Sequence, residues 1–595
     1  MNAIAIDLGT SNTLVAKLAP DGKPQLFQFE DNLNMIPSVI GIEEAGDNAI
    51  FGSAALGWWL DGQLAERTFR RWKLKMGENA VLAQLHMGGR LPEDITPERL
   101  TTLLVQHIVE TLSAGHDGEE IDSVLVTVPH GWRRENPEKC RATREAAAAA
   151  RINGKPVAVQ NITVSEPVAA AAYWLWMSQQ KGGESFAGKT ILVCDVGGGT
   201  FDLSLVAAGG KDKPLDVIDA ANNNLAGDIV DALICAVVCQ EFNQKHNTSY
   251  PTDAEQILDS AAGSMPWLRS WLQTCRRNFK EGLSDNIDAH LGRGGKNLDE
   301  LRPARGTFND PENRVLNMNL TASRFQEILE PYYQDNRDFL QNFLSNSPSH
   351  LPYAVVFAGG GSRLYGICEH VVNPVLQTLM GNQAAEEALK RLPANRPGRS
   401  AAIVFGAALI ANGVVSVQER LLHDVGLGVD IPHDPKTGKR IGDGELLANA
   451  LNLPEDVNEI LITPLLSKGS VLPCSVKSAD INLPFHINAE SIDFKIAVDD
   501  GSDIPWIQQW TVDGFDADLK NGIDLDAWEI KADNDGAITV SFSPKERESL
   551  TFVGRLIRQG SGRGSLVIGR ASIQGKKTYR RVSPDEIRRI LSRKL

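Results

Sequence analysis

The chain is 595 residues long, 42% apolar and 23% charged, with a net charge of −15 and seven scattered cysteines. That length exceeds what one hydrophobic core organises, so about three domains are expected, and the acidic balance excludes broad nucleic-acid binding by the whole chain. The cysteines form no CxxC pair, which excludes a disulfide framework and fits a reducing, cytoplasmic setting, and no apolar run reaches the ~20 residues that cross a bilayer.

The N-terminal run AIAI leads into DLGTSNT, Asp7 to Thr13, and then TLVAKL. This reads as a strand, a tight turn and a second strand, and the acid at Asp7 argues against a signal peptide. IDSVLVTVP, 121–129, reads as a strand stopped by proline, and the alanine-rich stretch 137–150 as a helix. KPVAVQNITVSEP, 155–167, reads as a strand and turn opening the helix AAAAYWLWM. TILVC, DVGGGTFD (Asp195 to Asp202) and LSLV repeat the strand, turn and strand. DALICAVVCQEF is a helix with Cys235 and Cys239 four apart on one face, read as small core residues. YAVVFAGGGSRL, 353–364, is a strand, a glycine turn and a helix start, and 400–415 is a buried helix. Alternation of this kind predicts an α/β domain over residues 1–415.

The pattern changes at residue 416. QERLLHDVGLGVDIP has no clear element of its own. EILITPLL, PCSVKS, SIDFKIAV, AITVSFS, LTFVGRLI and SLVIGRASI follow, strand-like and separated by turn residues, which predicts a β-sandwich-like domain over 426–570. SPDEIRRILSRKL closes the chain as a short helix, with Ser583 as N-cap and Glu586 in the capping-box position. The tail from 571 is basic: Lys576, Lys577, Arg580, Arg581, Arg588, Arg589, Arg593 and Lys594 stand against Asp585 and Glu586. Either a solvated helix face or a dock for an acidic partner or nucleic acid accounts for it.

The two turns carry the chemistry. Glycine lets backbone approach a ligand closely, and bare turn amides form a nest for anionic oxygens. An Asp at the mouth of each turn suits a hydrated Mg²⁺, and Thr or Ser hydroxyls reach phosphate. Two such turns in the same sense point to a duplicated fold clamping a nucleotide phosphate from both sides.

The order DLGTSN, KLKMG, VTVP, SEPVAAAAY, DVGGGTFDLS, AGGGSR and a closing Gly-Ala-Ala helix resembles the ATPase domain of the seventy-kilodalton heat-shock chaperones. Single pieces are shared with actins and sugar kinases. The resemblance implies a duplicated actin-like (ribonuclease H-like) fold with four subdomains, using ATP/ADP and Mg²⁺. Asp7 and Asp195 would hold the metal through water. Gly9, Thr10, Ser11 and Asn12 from the first turn, and Gly197, Gly198, Gly199 and Thr200 from the second, would bind phosphate. Lys73, Glu166, Asp195, Thr200 and Asp202 would form the hydrolytic centre, with Lys73 near the terminal phosphate and Glu166 positioning water. Gly227, Lys280, Ser284, Gly359, Gly360, Gly361 and Arg363 would line the nucleoside pocket, Arg363 stacking on the base. The sequence departs from the family at Arg277, where a ribose-holding acid is expected, at Ser400, where an aspartate is expected, and at His130, Gly131 and Trp132, although Pro129 of the interdomain switch is kept.

In the second half, ERLLHD (Glu419 to Asp424, within 416–425) is the candidate interdomain linker, HDVGLGVDI resembles the opening strand of the family's peptide-binding sandwich, and a helical lid is not discernible. Trp506, Trp510 and Trp528 are either core aromatics or interface anchors. The resemblance implies an ATP-dependent chaperone acting on protein or peptide clients, with a J-domain co-chaperone and a nucleotide exchange factor as partners, and no membrane. A dedicated switch acting on one folded partner is the alternative. A sugar kinase or a filament-forming actin relative fits less well, because neither explains the appended β domain.

Overall fold

The computed structural model describes residues 3–591 except 30–32, 44–47, 62–63, 87–91, 116–120, 153, 181, 183–184, 210–214, 393–395, 432, 435, 442, 482–484, 488–490, 500–505, 514–522, 526, 544–551 and 556–578. The chain divides into two units. Met1–Met76, Ala80–Gly131 and Thr143–Val417 make the first; Gly77–Asn79, Trp132–Ala142 and Gln418–Leu595 make the second.

The first unit builds one plan twice. β1 (Ala3–Leu8) is buried along its whole length, and β2 (Asn12–Leu18) folds back on it antiparallel with Asp7 opposite Leu14. On its other side β1 pairs in parallel with β3 (Ser123–Val128). In the second copy β4 (Thr190–Val196) pairs antiparallel with β5 (Phe201–Ala207), Asp195 opposite Asp202, and in parallel with β6 (Ala354–Ala358). Each of these strands is central in its sheet, with partners on both edges, and is also buried on both faces, hence the unbroken apolar runs AIAI and ILVC. The tight Asp-x-Gly turn therefore falls at equivalent ends of two equivalent strand pairs.

α1 (Glu166–Gln180) and α3 (Ala402–Ala411), with α2 (Gly227–His246) between them in sequence, supply much of the helical cover. α1 and α3 are apolar nearly all round, as helices buried in a core are. They share a core in which alanines 169–172 meet Ala402, Ala407 and Ala408. Small residues let the helix backbones close up: a Cβ on Gly406 would lie 1.7 Å from the Ala169 carbonyl oxygen. Cys235 and Cys239 are fully buried on α2 in the second core, as their spacing predicts. The run 155–167, expected as a strand and turn, forms only short pieces: Lys155–Pro156, a single bridge from Val159 to Val124, and Val164–Ser165 beside β3. Pro156 has no amide with which to extend a ladder.

The second unit contains a five-stranded sheet in the order Trp506–Asp513, Ser491–Asp499, Asp424–Asp430, Glu459–Leu466, Tyr579–Val582, and a four-stranded sheet in the order Cys474–Lys477, Ala527–Ala532, Ile538–Ser543, Phe552–Arg555. Val425, Leu427, Ile460 and Ile496 of one sheet share a core with Trp528, Ile530 and Val540 of the other. The stretch after 416 shows no clear element in its own pattern, but its part HDVGLGVDI, which resembles an opening strand, holds the strand Asp424–Asp430, where Val425 and Leu427 enter that core and Val429 packs against it. Just before it, the Leu421 amide donates to the Ser470 carbonyl at 2.8 Å and the Leu472 amide to the Glu419 carbonyl at 3.1 Å. The closing helix is Pro584–Leu591, and the Ser583 hydroxyl accepts from the Glu586 amide at 3.2 Å, the expected cap.

Trp528 is 2% exposed and belongs to the core, which decides between its two readings in favour of a core aromatic. The side chains of Trp506 and Trp510, the run SLVIGRASI, and Lys576, Lys577, Arg593 and Lys594 lie outside the described residues. Of the basic tail, Arg581 makes a two-point pair with Asp499 at 2.7 and 3.0 Å, and Arg580 reaches Glu586 at 3.3 Å.

Candidate functional site

The two turns face each other. In the first, the Gly9 amide donates to the Asp7 carbonyl at 3.0 Å and the Ser38 hydroxyl donates to the Gly9 carbonyl at 2.7 Å, holding Thr10 and Ser11 at the tip, with Asn12 opening β2. In the second, the Gly197 amide donates to the Thr200 carbonyl at 2.9 Å and the Thr200 hydroxyl to the Asp202 carboxylate at 2.6 Å. A Cβ on Gly198 would lie 2.3 Å from the Ser11 hydroxyl, so any side chain there would fill the space between the turns. The start of α2 is tied to the same place, since the Gly227 amide donates to the Gly197 carbonyl at 3.1 Å and the Asp228 amide to the Gly198 carbonyl at 2.7 Å. Gly359, with φ +76°, closes the floor: a Cβ there would lie 2.3 Å from Asp195 Oδ1. Gly360 and Gly361 continue it as a short helical turn ending at Arg363, and a Cβ on Gly361 would lie 2.7 Å from the Val196 carbonyl oxygen. Stripped of side chains on three segments, the cleft has the form of a phosphate cradle.

The charged groups converge on it. Lys73 Nζ donates to Glu166 Oε1 at 2.8 Å with both side chains buried, although they are 93 residues apart in sequence. Asp7 Oδ1 accepts from the Thr127 hydroxyl at 2.9 Å. Burial, reinforced by the Glu166 charge, raises the Asp7 carboxyl to about 6, against the pull of Lys73 and Thr127. Burial, with Glu166, Asp202 and Asp7 adding, holds Asp195 well above the carboxylate range. Burial opposes the Lys73 charge, but Glu166, Asp7 and Asp195 outweigh it and its pKa stands above the ordinary lysine value. Four carboxylates around one ammonium leave an excess of negative charge that a divalent cation would relieve. Among the described residues no group of three or more His, Cys, Asp or Glu is set to hold a metal directly. A site with few carboxylates placed for direct ligation would suit an ion that keeps most of its water, as Mg²⁺ does.

The rim is built differently. The helix from Leu268 to Gly292 passes through a π-helical stretch, Cys275–Glu281, which carries Lys280. Such stretches re-aim side chains. Lys280 Nζ reaches Asp231 at 2.7 Å and the Gly227 carbonyl at 3.0 Å. Burial lifts the Asp231 carboxyl to about 6, with Lys280 opposing the rise. Ser284 is buried and accepts from the Tyr365 amide at 3.2 Å while donating to the Lys280 carbonyl at 2.6 Å. Arg363 pairs with Asp285 at 3.1 Å, both partly exposed, and Arg277 is exposed. The structure thus brings Asp7, Thr10, Ser11, Lys73, Glu166, Asp195, Gly197, Gly198, Gly199, Thr200, Asp202, Gly227 and the Gly359–Gly361 turn to one cleft, with Lys280 beside Gly227. It places Ser284 inside a backbone network and Arg363 on an acid. Sequence reading did not single out Thr127, Asp228 or Asp231. A threonine in the middle of the apolar strand SVLVTV was the available signal for the first, and acids at the opening of GDIVD for the other two.

A family model described as Hsp70 protein matches residues 3–265. Among curated relatives, Chaperone protein DnaK of Thermotoga neapolitana is 28% identical over 257 residues, 43% of this chain and 38% of that protein. Chaperone protein DnaK of Thermosipho melanesiensis is 24% identical over 414 residues, 69% of this chain and 58% of that protein. Chaperone protein DnaK of Thermosipho africanus is 27% identical over 277 residues, 46% of this chain and 42% of that protein. The aligned part of this chain spans from 38% to 58% of the length of these relatives. No helix among the described residues is long and apolar enough to cross a membrane.

Proposed function

We propose that this chain, which its residues 3–265 place in the Hsp70 family, is a Mg²⁺-dependent ATPase whose nucleotide cycle changes the affinity of its C-terminal β domain for protein segments. The observation that carries the reading is the buried Lys73–Glu166 pair, 2.8 Å apart, beside two glycine turns that each end a strand bearing a buried aspartate. In that arrangement Asp7 and Asp195 would hold a hydrated Mg²⁺, which would supply charge neutralisation. Thr10, Ser11, Gly197, Gly198 and Thr200 cradle the phosphates. Lys73 offsets charge on the terminal phosphate, and Glu166 orients the attacking water. Phosphoryl transfer needs positioning and charge neutralisation above all, and a buried, glycine-lined site supplies both. Residues 1–415 form the ATPase domain, 416–425 the linker, 426–570 the β-sandwich-like binding domain and 571–595 a basic tail. Protein or peptide clients, a J-domain co-chaperone and an exchange factor are the expected partners.

The test is ATP turnover by the full chain with and without an unfolded client. Client-stimulated hydrolysis, lost in Glu166→Ala while nucleotide binding persists, is expected. Turnover indifferent to every unfolded client, together with one stoichiometric folded partner recovered in an ATP-dependent pull-down, would replace the general chaperone by the dedicated switch.

A further inference from the structure

Arg71 sits one residue before the short helical turn Trp72–Lys75 that carries Lys73. Its backbone is left-handed, with φ +56°. Among the described residues the other non-glycine positions with positive φ are all asparagines: Asn79, Asn247, Asn313 and Asn452. Asparagine tolerates that region through its short polar side chain, whereas arginine gains nothing from it locally. Strain of this kind persists where the surroundings over-determine it, and it concentrates at ligand clamps.

The side chain leaves that strained backbone toward the second turn. Nη1 lies 3.6 Å from Asp228 Oδ2 at the start of α2, and Nη2 lies 3.3 Å from the point where a Cβ on Gly199 would stand. The Thr10 methyl of the first turn is 4.0 Å from that same point. The guanidinium therefore hangs at the mouth between the two turns, with 44% of its side chain exposed. Its pairing with Asp228 is longer than a hydrogen bond, on a carboxylate that is itself 25% exposed. Such a pair exchanges readily for a stronger anion. Lys73, by contrast, is committed to Glu166 and ringed by Asp7 and Asp195. A polyphosphate entering this cleft brings several negative charges to a site whose buried cation is already outnumbered by carboxylates.

We propose that Arg71 exchanges Asp228 for the terminal phosphate of a bound nucleoside triphosphate, and so makes the cleft discriminate triphosphate from diphosphate. This inference rests on the reading of the cleft as a nucleotide site. The planar guanidinium presents two parallel donors to a phosphate, which an ammonium cannot do. Lys73 and Arg71 leave the same short segment, Lys73 for the buried Glu166 and Arg71 for Asp228 at the mouth, so the cleft has one cation inside and one at its opening. Asp228 is the resting partner that keeps the guanidinium at the mouth when no anion is there.

The test is equilibrium binding of ATP and ADP, each with Mg²⁺, to the full chain and to Arg71→Gly, Arg71→Lys and Asp228→Asn. Glycine accepts the left-handed backbone, so Arg71→Gly removes the side chain and relieves the strain together. It should keep or raise the melting temperature without nucleotide, lose about tenfold in ATP affinity and change ADP affinity by less than about twofold. Arg71→Lys should recover part of the ATP loss. Asp228→Asn should leave ATP binding intact or tighten it, because the competing carboxylate is gone. Equal losses for ATP and ADP in Arg71→Gly, or parallel losses of ATP affinity in Arg71→Gly and Asp228→Asn, would make the pair a structural latch and overturn the proposal. So would unchanged ATP affinity in Arg71→Gly. A wild-type chain that binds neither nucleotide would instead overturn the reading of the cleft itself.

Discussion

Replacing Asp7 by asparagine should stabilise the protein while disabling it. Asp7 is buried at the end of β1, and burial with the Glu166 charge raises its pKa from 3.8 to about 6. A rise of about two units corresponds to ~3 kcal/mol by which the folded state disfavours the charged form at neutral pH. The folded carboxyl holds its proton more tightly than the unfolded one. The stability this proton confers is therefore fully present below pH ~3.8 and is lost as pH rises through about 6. Asparagine keeps the acceptor for the Thr127 hydroxyl, which now donates at 2.9 Å, and carries no charge at any pH. Asp7→Asn should then be more stable than wild type at pH 8, by up to ~3 kcal/mol or a few degrees in the melting transition of the first unit. The advantage should shrink steadily between pH 7 and pH 4. Calorimetric scans of both proteins without nucleotide or metal, across pH 4 to 8, measure it. The variant should also lose Mg²⁺-dependent turnover. A loss of stability at pH 8, or a difference that does not vary with pH, would refute the reasoning that Asp7 is a strained, metal-ready carboxylate.

Three further outcomes follow from the packing. Lys73→Met leaves Glu166 buried without its cation and should cost ~3 kcal/mol, while the double change with Glu166→Gln should restore much of it, as a double-mutant cycle by denaturant unfolding will show. Gly406→Leu must push α3 off α1, because even a Cβ meets the Ala169 carbonyl at 1.7 Å; loss of the folded first unit by circular dichroism is expected, and a native-like melt would mean the helices have room to separate. Trp528→Ala empties a fully buried site in the second unit and should cost ~3–5 kcal/mol, read as a lowered denaturation midpoint of that unit with ATP binding by the first unit unchanged.

Much of the site was legible because its chemistry is local. The glycines of DLGTSNT and DVGGGTFD and the aspartates that precede them lie within seven or eight residues, so a turn and its carboxylate are written together. The capped helix at Ser583 and the buried cysteines on α2 were legible for the same reason: caps and helix faces are set by neighbours three or four apart. How little of the run 155–167 would be strand was not legible, because β-propensity does not report whether a partner edge is present, and here the partner β3 is met at only a few residues. The strand Asp424–Asp430 was legible through the resemblance and not through its own pattern, which Gly426 interrupts for a reason only a sheet neighbour supplies: a Cβ there would lie 2.3 Å from the Ile462 carbonyl oxygen.

What the sequence determined by itself was the repeated local pattern: two apolar strands, each ending in an acid and a glycine turn. What only the tertiary structure decided was which charges meet there. Lys73 sits among other basic residues in sequence, and Glu166 reads alone as an acid at a helix start. Their burial together at 2.8 Å follows from a fold that brings together residues 93 positions apart. The position of Arg71 is the same kind of fact. Its left-handed backbone and its reach to Asp228, 157 positions further on, exist only because the fold sets the first unit's two copies turn against turn. Coulomb energy in a desolvated cleft depends on distance in space, and no local pattern encodes that distance.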